Sequence, residues 1–302
     1  RSTTYGDGSP GITRTYTPDG LPETIASNGL PWTTSYNRRR LPVQESVQID
    51  GSPFTIGRHY NVNGHLDQLT YPNGLAIDYL PNALGEPTQV GKFASGISYY
   101  PNGAIAGFTY GNGIVRSLGL NARNLPTQAK DVGVLNDLYS YDENGNVVGI
   151  SDQQENVTNR SMSYDGLDRM TSANAPNLWG MDSYNYDALD NIRTSAIGSR
   201  NSTHNYDLGG SNRLLNINSN GVTTSYSYDV LGNITGRGNQ GFSFDRGNRM
   251  SSASGKASYV YDGLGHRTKI LPTTGGTRLQ IYSQGGQLLY GTESLPGKTP
   301  TS

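Results

Sequence analysis

Cysteine is absent from the 302 residues, which excludes a disulfide framework, a thiolate metal site and a cysteine nucleophile. Aliphatic side chains are scarce. Leu, Ile, Val and Phe together number 59, just under a fifth of the chain and too few for a thick globular core. Charge of either sign is sparse at 16%, and a net charge of −1 argues against a nucleic-acid or anionic-membrane partner held by bulk electrostatics. No run approaches about 18 consecutive apolar residues, so no membrane span is expected. Strong helix formers are thin between recurring Gly and Pro, which disfavours long helices.

Turn formers and tyrosine fill the space. The chain holds 40 Gly, 15 Pro and 28 Asn, and its 21 Tyr outnumber 5 Phe and 2 Trp by three to one. Disorder would need a large net charge and few aromatics, and neither holds here. Short strands and many turns are the expected structure.

A repeat organises them. Tyr-Asp pairs stand at Tyr141-Asp142, Tyr164-Asp165, Tyr186-Asp187, Tyr206-Asp207, Tyr228-Asp229 and Tyr261-Asp262, with Phe244-Asp245 as a variant and Tyr282-Ser283 continuing the series. Two residues before the anchor there is usually a second aromatic or large side chain, as at Tyr139, Met162, Tyr184, His204, Tyr226, Phe242 and Tyr259. An i, i+2 pair shares one face of a strand, so each anchor ends a strand that presents two large side chains to the same side.

The residues after each anchor read as a turn. Four positions on come Gly145, Asp168, Asp190, Gly210, Gly232, Asn248 and Gly265, the residue types that tolerate positive φ. The Asp after Tyr is placed to accept from a backbone N–H two residues later. Six positions on, Val147, Met170, Ile192, Ile234 and Met250 start the next strand; Arg267 departs from this, and the Tyr206 unit carries two extra residues before Leu214. A unit of roughly 21 residues therefore predicts one antiparallel hairpin.

The first half carries the unit in looser form. Tyr16-Thr-Pro-Asp-Gly20 and Tyr60-Asn-Val-Asn-Gly64 keep the five-residue turn, whereas Tyr71-Pro-Asn-Gly74, Tyr100-Pro-Asn-Gly103 and Tyr110-Gly-Asn-Gly113 read as one residue shorter. Tyr36-Asn-Arg-Arg-Arg40 puts Arg where Gly is expected, and Tyr79 leads into a longer loop through Gly85. No composition break marks a linker. The expectation is one all-β array of antiparallel hairpins over 1–302, degenerate over 1–135, regular over 136–292, with a tail at 293–302.

The Tyr-Asp-x-x-Gly-Asn strings at 141–146 and 228–233, in a series of this spacing, closely resemble the YD repeats of RHS proteins, which also occur in bacterial insecticidal toxin complexes and animal teneurins. The resemblance implies a long antiparallel sheet spiralling into a hollow or partly open shell. In bacterial members such a shell encloses a toxic segment, and a core-associated domain often cleaves that cargo free. No such domain is recognisable here, so neither self-cleavage nor toxin activity is carried over. Partners implied are an enclosed polypeptide cargo or the remainder of the same shell, in a secreted or cell-surface bacterial protein. Arg1 at the start and the missing signal segment give the expectation of a piece of a longer chain, with its targeting signal elsewhere. Roughly 28 strands at about 4.8 Å give a ribbon of about 130 Å, which predicts a partial shell.

The search for chemistry is mostly negative, so no enzyme, cofactor or metal is expected. His59, His65, His204 and His266 fall in no metal-ligand spacing, although His59 and His65 could approach across a hairpin, and His204 sits in an aromatic slot of the repeat. No G-x-S-x-G elbow anchors a hydrolase triad. Gly297-Lys298-Thr299 lies one residue out of step with Gly291 for a phosphate loop, and Asp142–Asn146 starts like a calcium loop but has Val147 where Gly is required. Four N-x-[ST] matches, at Asn156, Asn159, Asn201 and Asn233, read as chance in an Asn-rich chain. Arg38-Arg39-Arg40 reads as a solvated loop, with contact to a small anion or a partner as the alternative. Regular Tyr on one strand face also admits a second reading, a carbohydrate-binding or adhesion surface, against the structural role that strand propensity and cross-strand pairing give it.

Overall fold

The computed structural model describes residues 1–294. The tail beyond Ser294, with Gly297-Lys298-Thr299, lies outside the described residues. Among them every regular element is a β-strand, and the strands pair antiparallel with their neighbours in the chain, except that the ladder breaks between Ala76–Asp78 and Gln89–Val90. The chain is therefore an all-β array of hairpins. Strands begin where the sequence predicts, at Val147, Met170, Ile192, Ile234 and Met250, with Leu214 and Arg267 starting theirs as well. The contacts divide the chain into two compact units, one formed by residues 1–87 together with Ser227 onward, the other by Thr88–Tyr226.

The first unit has a core. Its opening sheet runs in chain order from Ser2–Thr3 to Ala76–Asp78. In Leu30–Tyr36, Pro42–Ile49 and Ser52–Tyr60 alternate side chains point inward, so Leu30, Trp32, Val47, Ile49, Phe54 and Ile56 cluster. Leu279 and Ile281 of the late strand Arg278–Tyr282 complete the cluster, although they lie more than 200 residues away in sequence. Trp32 is 2% exposed, and Val47 and Ile56 are fully buried. Burying side chains of this size contributes about 1.5–3 kcal/mol each.

In the second unit the ladder proceeds from Gln89–Val90 and Ala94–Tyr99 to Val222–Tyr228, with each strand paired to the next. Its buried apolar residues are alanines: Ala129, Ala173 and Ala175. The two faces of the sheet differ in chemistry. Tyr139 sits opposite Ile150, Met162 opposite Ala173 and His204 opposite Ile217, a face of large side chains. The intervening positions pair Ser163 with Ser172, Asn185 with Thr194 and Asn205 with Asn216. Asn185 Nδ2 donates to Thr194 Oγ1 at 2.9 Å and Asn205 Nδ2 to Asn216 Oδ1 at 2.8 Å. Polar cross-strand pairs of this kind take over part of the role that apolar burial plays in the first unit.

Candidate functional site

The repeat turn is the one constellation that recurs throughout. After Tyr141, the Asp142 N–H donates to Asn146 O at 3.0 Å and the Gly145 N–H to Asp142 O at 3.2 Å, closing the turn. Asp142 Oδ1 accepts from the Gly145 and Asn146 N–H groups at 2.9 and 2.8 Å. Asp165, Asp187, Asp229, Asp245 and Asp262 each accept from the N–H groups two and four residues on, at 2.9–3.1 Å. Hydrogen bonds from the residue four beyond each Asp, namely Asn146, Arg169, Asn191 and Asn233, hold the carboxyls of Asp142, Asp165, Asp187 and Asp229 below their ordinary range.

Positive φ falls where the pattern requires it, at Gly145 (98°), Asp168 (60°), Asp190 (65°), Gly232 (95°), Asn248 (57°) and Gly265 (87°). Gly210 is the exception: Asn212 takes this role at 49°, two residues later. The Asp207 N–H bonds Arg213 O, and the Asn212 N–H bonds Asp207 O, so the two extra residues are looped out inside an otherwise unchanged turn. Arg40 also adopts φ of 64°, although its side chain makes that conformation unfavourable.

The anchor tyrosines reach across repeats. Tyr36, Tyr60, Tyr141, Tyr164 and Tyr186 each donate their hydroxyl to a main-chain carbonyl, of Pro22, Pro42, Pro126, Val147 and Met170, at 2.6–3.0 Å. Each acceptor is the first residue of the strand leaving the previous turn. Burial raises the hydroxyl pKa of Tyr141, Tyr164 and Tyr261. Tyr261 offers its carbonyl to Asn28 Nδ2 at 2.8 Å, and the guanidinium of Arg193 lies 5.9 Å from the ring of Tyr206. Tyr228 ends the strand Val222–Tyr228, and Phe244, with no hydroxyl to donate, sits opposite Met250.

A further position joins the turns. Five residues after the anchor, Asn146, Arg169, Asn191 and Asn233 donate to Asp168, Asp190, Asn212 and Asn248, the left-handed residues of the following turns, at 2.7–3.0 Å. After His65, Leu125 and His266, bulky residues at this position, the left-handed residue packed beside them is Gly. A Cβ on Gly85 would lie 3.0 Å from the His65 ring, one on Gly286 3.3 Å from His266, and one on Gly145 3.6 Å from Leu125. The preference of this position for Asn, Arg, His and Gln in the regular repeats is visible in the sequence, and composition alone does not reveal its role.

Several sequence expectations need correction. Tyr71, Tyr100 and Tyr110 do not open shorter turns. Their N–H groups bond Leu75 O, Ala104 O and Ile114 O, as the Asp142 N–H bonds Asn146 O, so each Tyr stands where Asp stands in the regular turn. The loop after Tyr79 is such a turn too, closed by Asn82 N–H to Glu86 O and Gly85 N–H to Asn82 O. A turn without an aromatic anchor comes after Leu120, where Asn121 Oδ1 accepts from the Arg123 and Leu125 N–H groups. His59 and His65 have separate roles: His59 Nδ1 bonds Asp67 at 2.6 Å and His65 lies over Gly85. His204 Nε2 meets Ser195 Oγ at 3.3 Å across neighbouring strands, and burial lowers its pKa. Among the described residues no three His, Cys, Asp or Glu side chains group to hold a metal.

No family model matches the sequence, and no curated protein matches it. Solved structures do match. The crystal structure of TcdB2-TccC3 superposes with a TM-score of 0.61 at 15% identity, covering 90% of this chain and 20% of that one. TcdB2-TccC3 without its hypervariable C-terminal region and TcdB2-TccC3-Cdc42 each give 0.59 at 15% identity, covering 95% of this chain and 19% of theirs. The chain thus spans about a fifth of the length of these Tc toxin shell structures. A single hairpin type, repeated in register and superposing along nearly all of the chain, gives this protein the RHS/YD-repeat fold.

Proposed function

We propose that this chain is a non-enzymatic wall segment of a YD-repeat shell, enclosing or scaffolding a polypeptide cargo of the polymorphic-toxin type in a secreted or surface-exposed bacterial protein. The observation that carries the reading is the coupling of successive turns. Successive repeats are tied by the backbone ladder, and in the Tyr141 to Tyr186 repeats also by tyrosine hydroxyl and turn side chain, which extends a sheet without thickening it. A wall built so needs little aliphatic core, in keeping with the alanine-only apolar burial of the second unit. Its Ser, Thr and Asn face would offer an unfolded chain hydrogen bonds but no apolar surface to fold around.

The hydroxyls of Tyr141, Tyr164 and Tyr186 are engaged by main-chain carbonyls, so they lend no support to a glycan-stacking surface. Limited proteolysis of the parent gene product, with fragments identified by mass spectrometry, tests the proposal. A segment adjoining the repeats is expected to resist digestion while the repeats are intact and to become sensitive when they unfold. Equal digestion in both states would count against containment.

A further inference from the structure

The sequence singles out Arg38-Arg39-Arg40, and nothing in a wall function uses it. In the first unit this run borders an open cavity of about 670 Å3, lying between the Tyr36 turn and the Tyr60 turn. Arg38, Arg39 and Leu41 come from one turn, and Tyr60 and Val62 from the next. Arg40 points its charge elsewhere, with Nε 3.7 Å from Asp19. Among the described residues neither Arg38 nor Arg39 has an ion-pair partner, and Asp67 on the same wall is held by His59 Nδ1 at 2.6 Å.

Another repeat of the same chain shows that this arrangement is not forced by the fold. Arg123 occupies the same turn position as Arg39 and donates to the main-chain carbonyl of Glu143 at 3.0 Å. Both arginines pass 3.3 Å from the site of a glycine Cβ, Arg39 over Gly64 and Arg123 over Gly145, but no hydrogen bond from the Arg39 guanidinium matches that of Arg123. The turn that carries it is held with Arg40 at φ of 64°, the one Arg at a position that Gly, Asn and Asp fill in the other anchor turns. Two guanidinium forks without ion-pair partners among the described residues therefore face a cavity walled by Leu41, Tyr60 and Val62 on its apolar side and by Asn37, Asn61 and the His59–Asp67 pair on its polar side.

We propose that this cavity binds an oxyanion ester, a tetrahedral phosphate or sulfate group joined to an apolar body. Arg38 and Arg39 receive the oxyanion through charge-assisted hydrogen bonds, and Leu41, Tyr60 and Val62 cover the body. The site stands whether or not the chain encloses a cargo.

Isothermal titration of the intact protein with phenyl phosphate, phenyl sulfate and inorganic phosphate tests it. Phenyl phosphate is expected to bind saturably at one site and more tightly than inorganic phosphate. Comparable binding of phenyl sulfate assigns a general oxyanion site, and its failure narrows the class to phosphate. Arg38→Gln with Arg39→Gln is expected to weaken binding at least about tenfold, with the thermal unfolding midpoint unchanged because both side chains are exposed. Val62→Ser is expected to weaken only the phenyl esters, about threefold. Arg40→Gly, which relieves the backbone strain, is expected to leave affinity intact. No saturation by any of the three ligands overturns the proposal, and so does undiminished binding to the double variant.

Discussion

The turns at Tyr164 and Tyr186 and the turn at Tyr261 share nearly one sequence, Tyr-Asp-x-Leu, yet their surroundings differ. In the second unit Leu167 and Leu189 are 68% and 63% exposed. In the first unit Leu264 packs against the core cluster, and Asp262 is buried. The cause is the opening sheet, which crosses the turns of the last three repeats. Arg246 N–H donates to Ser9 Oγ at 3.0 Å, Gly263 abuts Ile25 and Ala26 so closely that a Cβ would clash, and Gln284 N–H donates to Glu45 Oε2 at 2.8 Å. Glu45 is itself paired with Arg58 at 2.6 Å, both largely buried. One turn sequence thus serves as surface or as core, and its neighbours decide which.

That contrast can be broken most sharply at its apolar centre. Trp32→Ala is expected to cost the first unit about 4 kcal/mol, whereas Trp179→Ala, at an exposed position, should stay within about 0.5 kcal/mol. Urea denaturation read by amide exchange in each unit measures both. Glu45→Ala, which strands Arg58 in a buried site and removes the acceptor of Gln284 N–H, is expected to cost about 3 kcal/mol in the same measurement. Leu264→Ser should cost about 1–2 kcal/mol where Leu189→Ser is neutral. Equal effects of the last two would mean that the opening sheet does not cover the Tyr261 turn in solution.

A smaller effect distinguishes the loops. Backbone hydrogen bonds from Gln154 and Thr158 hold the Asp152 carboxyl down at about 2. A carboxyl depressed on folding contributes stability that is fully present above its unfolded value, about 3.9. That contribution fades as pH falls from about 4 through about 2. The protection of the Gln154 and Thr158 amides, measured relative to their intrinsic exchange at each pH, should therefore be full at pH 5 and fall below pH 4, and Asp152→Asn should remove that fall. Protection that stays constant between pH 5 and pH 2 in the wild-type protein would contradict the assignment.

Local rules are legible in the sequence and distant ones are not. Asp168, Asp190 and Asn248 can be placed in the left-handed region because four residues of chain determine a turn, and the positions that start strands come from the same count. The phase of Tyr71, Tyr100 and Tyr110 is misread when the aromatic serves as the ruler. The backbone measures from the residue that closes the turn, and Asn73, Asn102 and Asn112 can cap it from another position. The Leu120 turn is hidden for the same reason. Contacts such as Gln284 with Glu45 join residues 239 positions apart, and no periodicity of about 21 residues encodes them. The cavity beside Arg38 needs the Tyr60 turn brought alongside the Tyr36 turn, which pairing of the intervening strands alone provides.

The looped-out residues of the Tyr206 turn carry a practical consequence. Because Asp207 and Asn212 close the same bonds as their counterparts while Leu208 to Ser211 stay exposed, the strands on either side never register the added length. Loop closure grows only as the logarithm of length. A reporter peptide or an affinity tag spliced between Gly209 and Gly210 should therefore be carried without disturbing the sheet, and evolution has the same freedom to diversify this protein at its turn tips while its hairpins stay fixed.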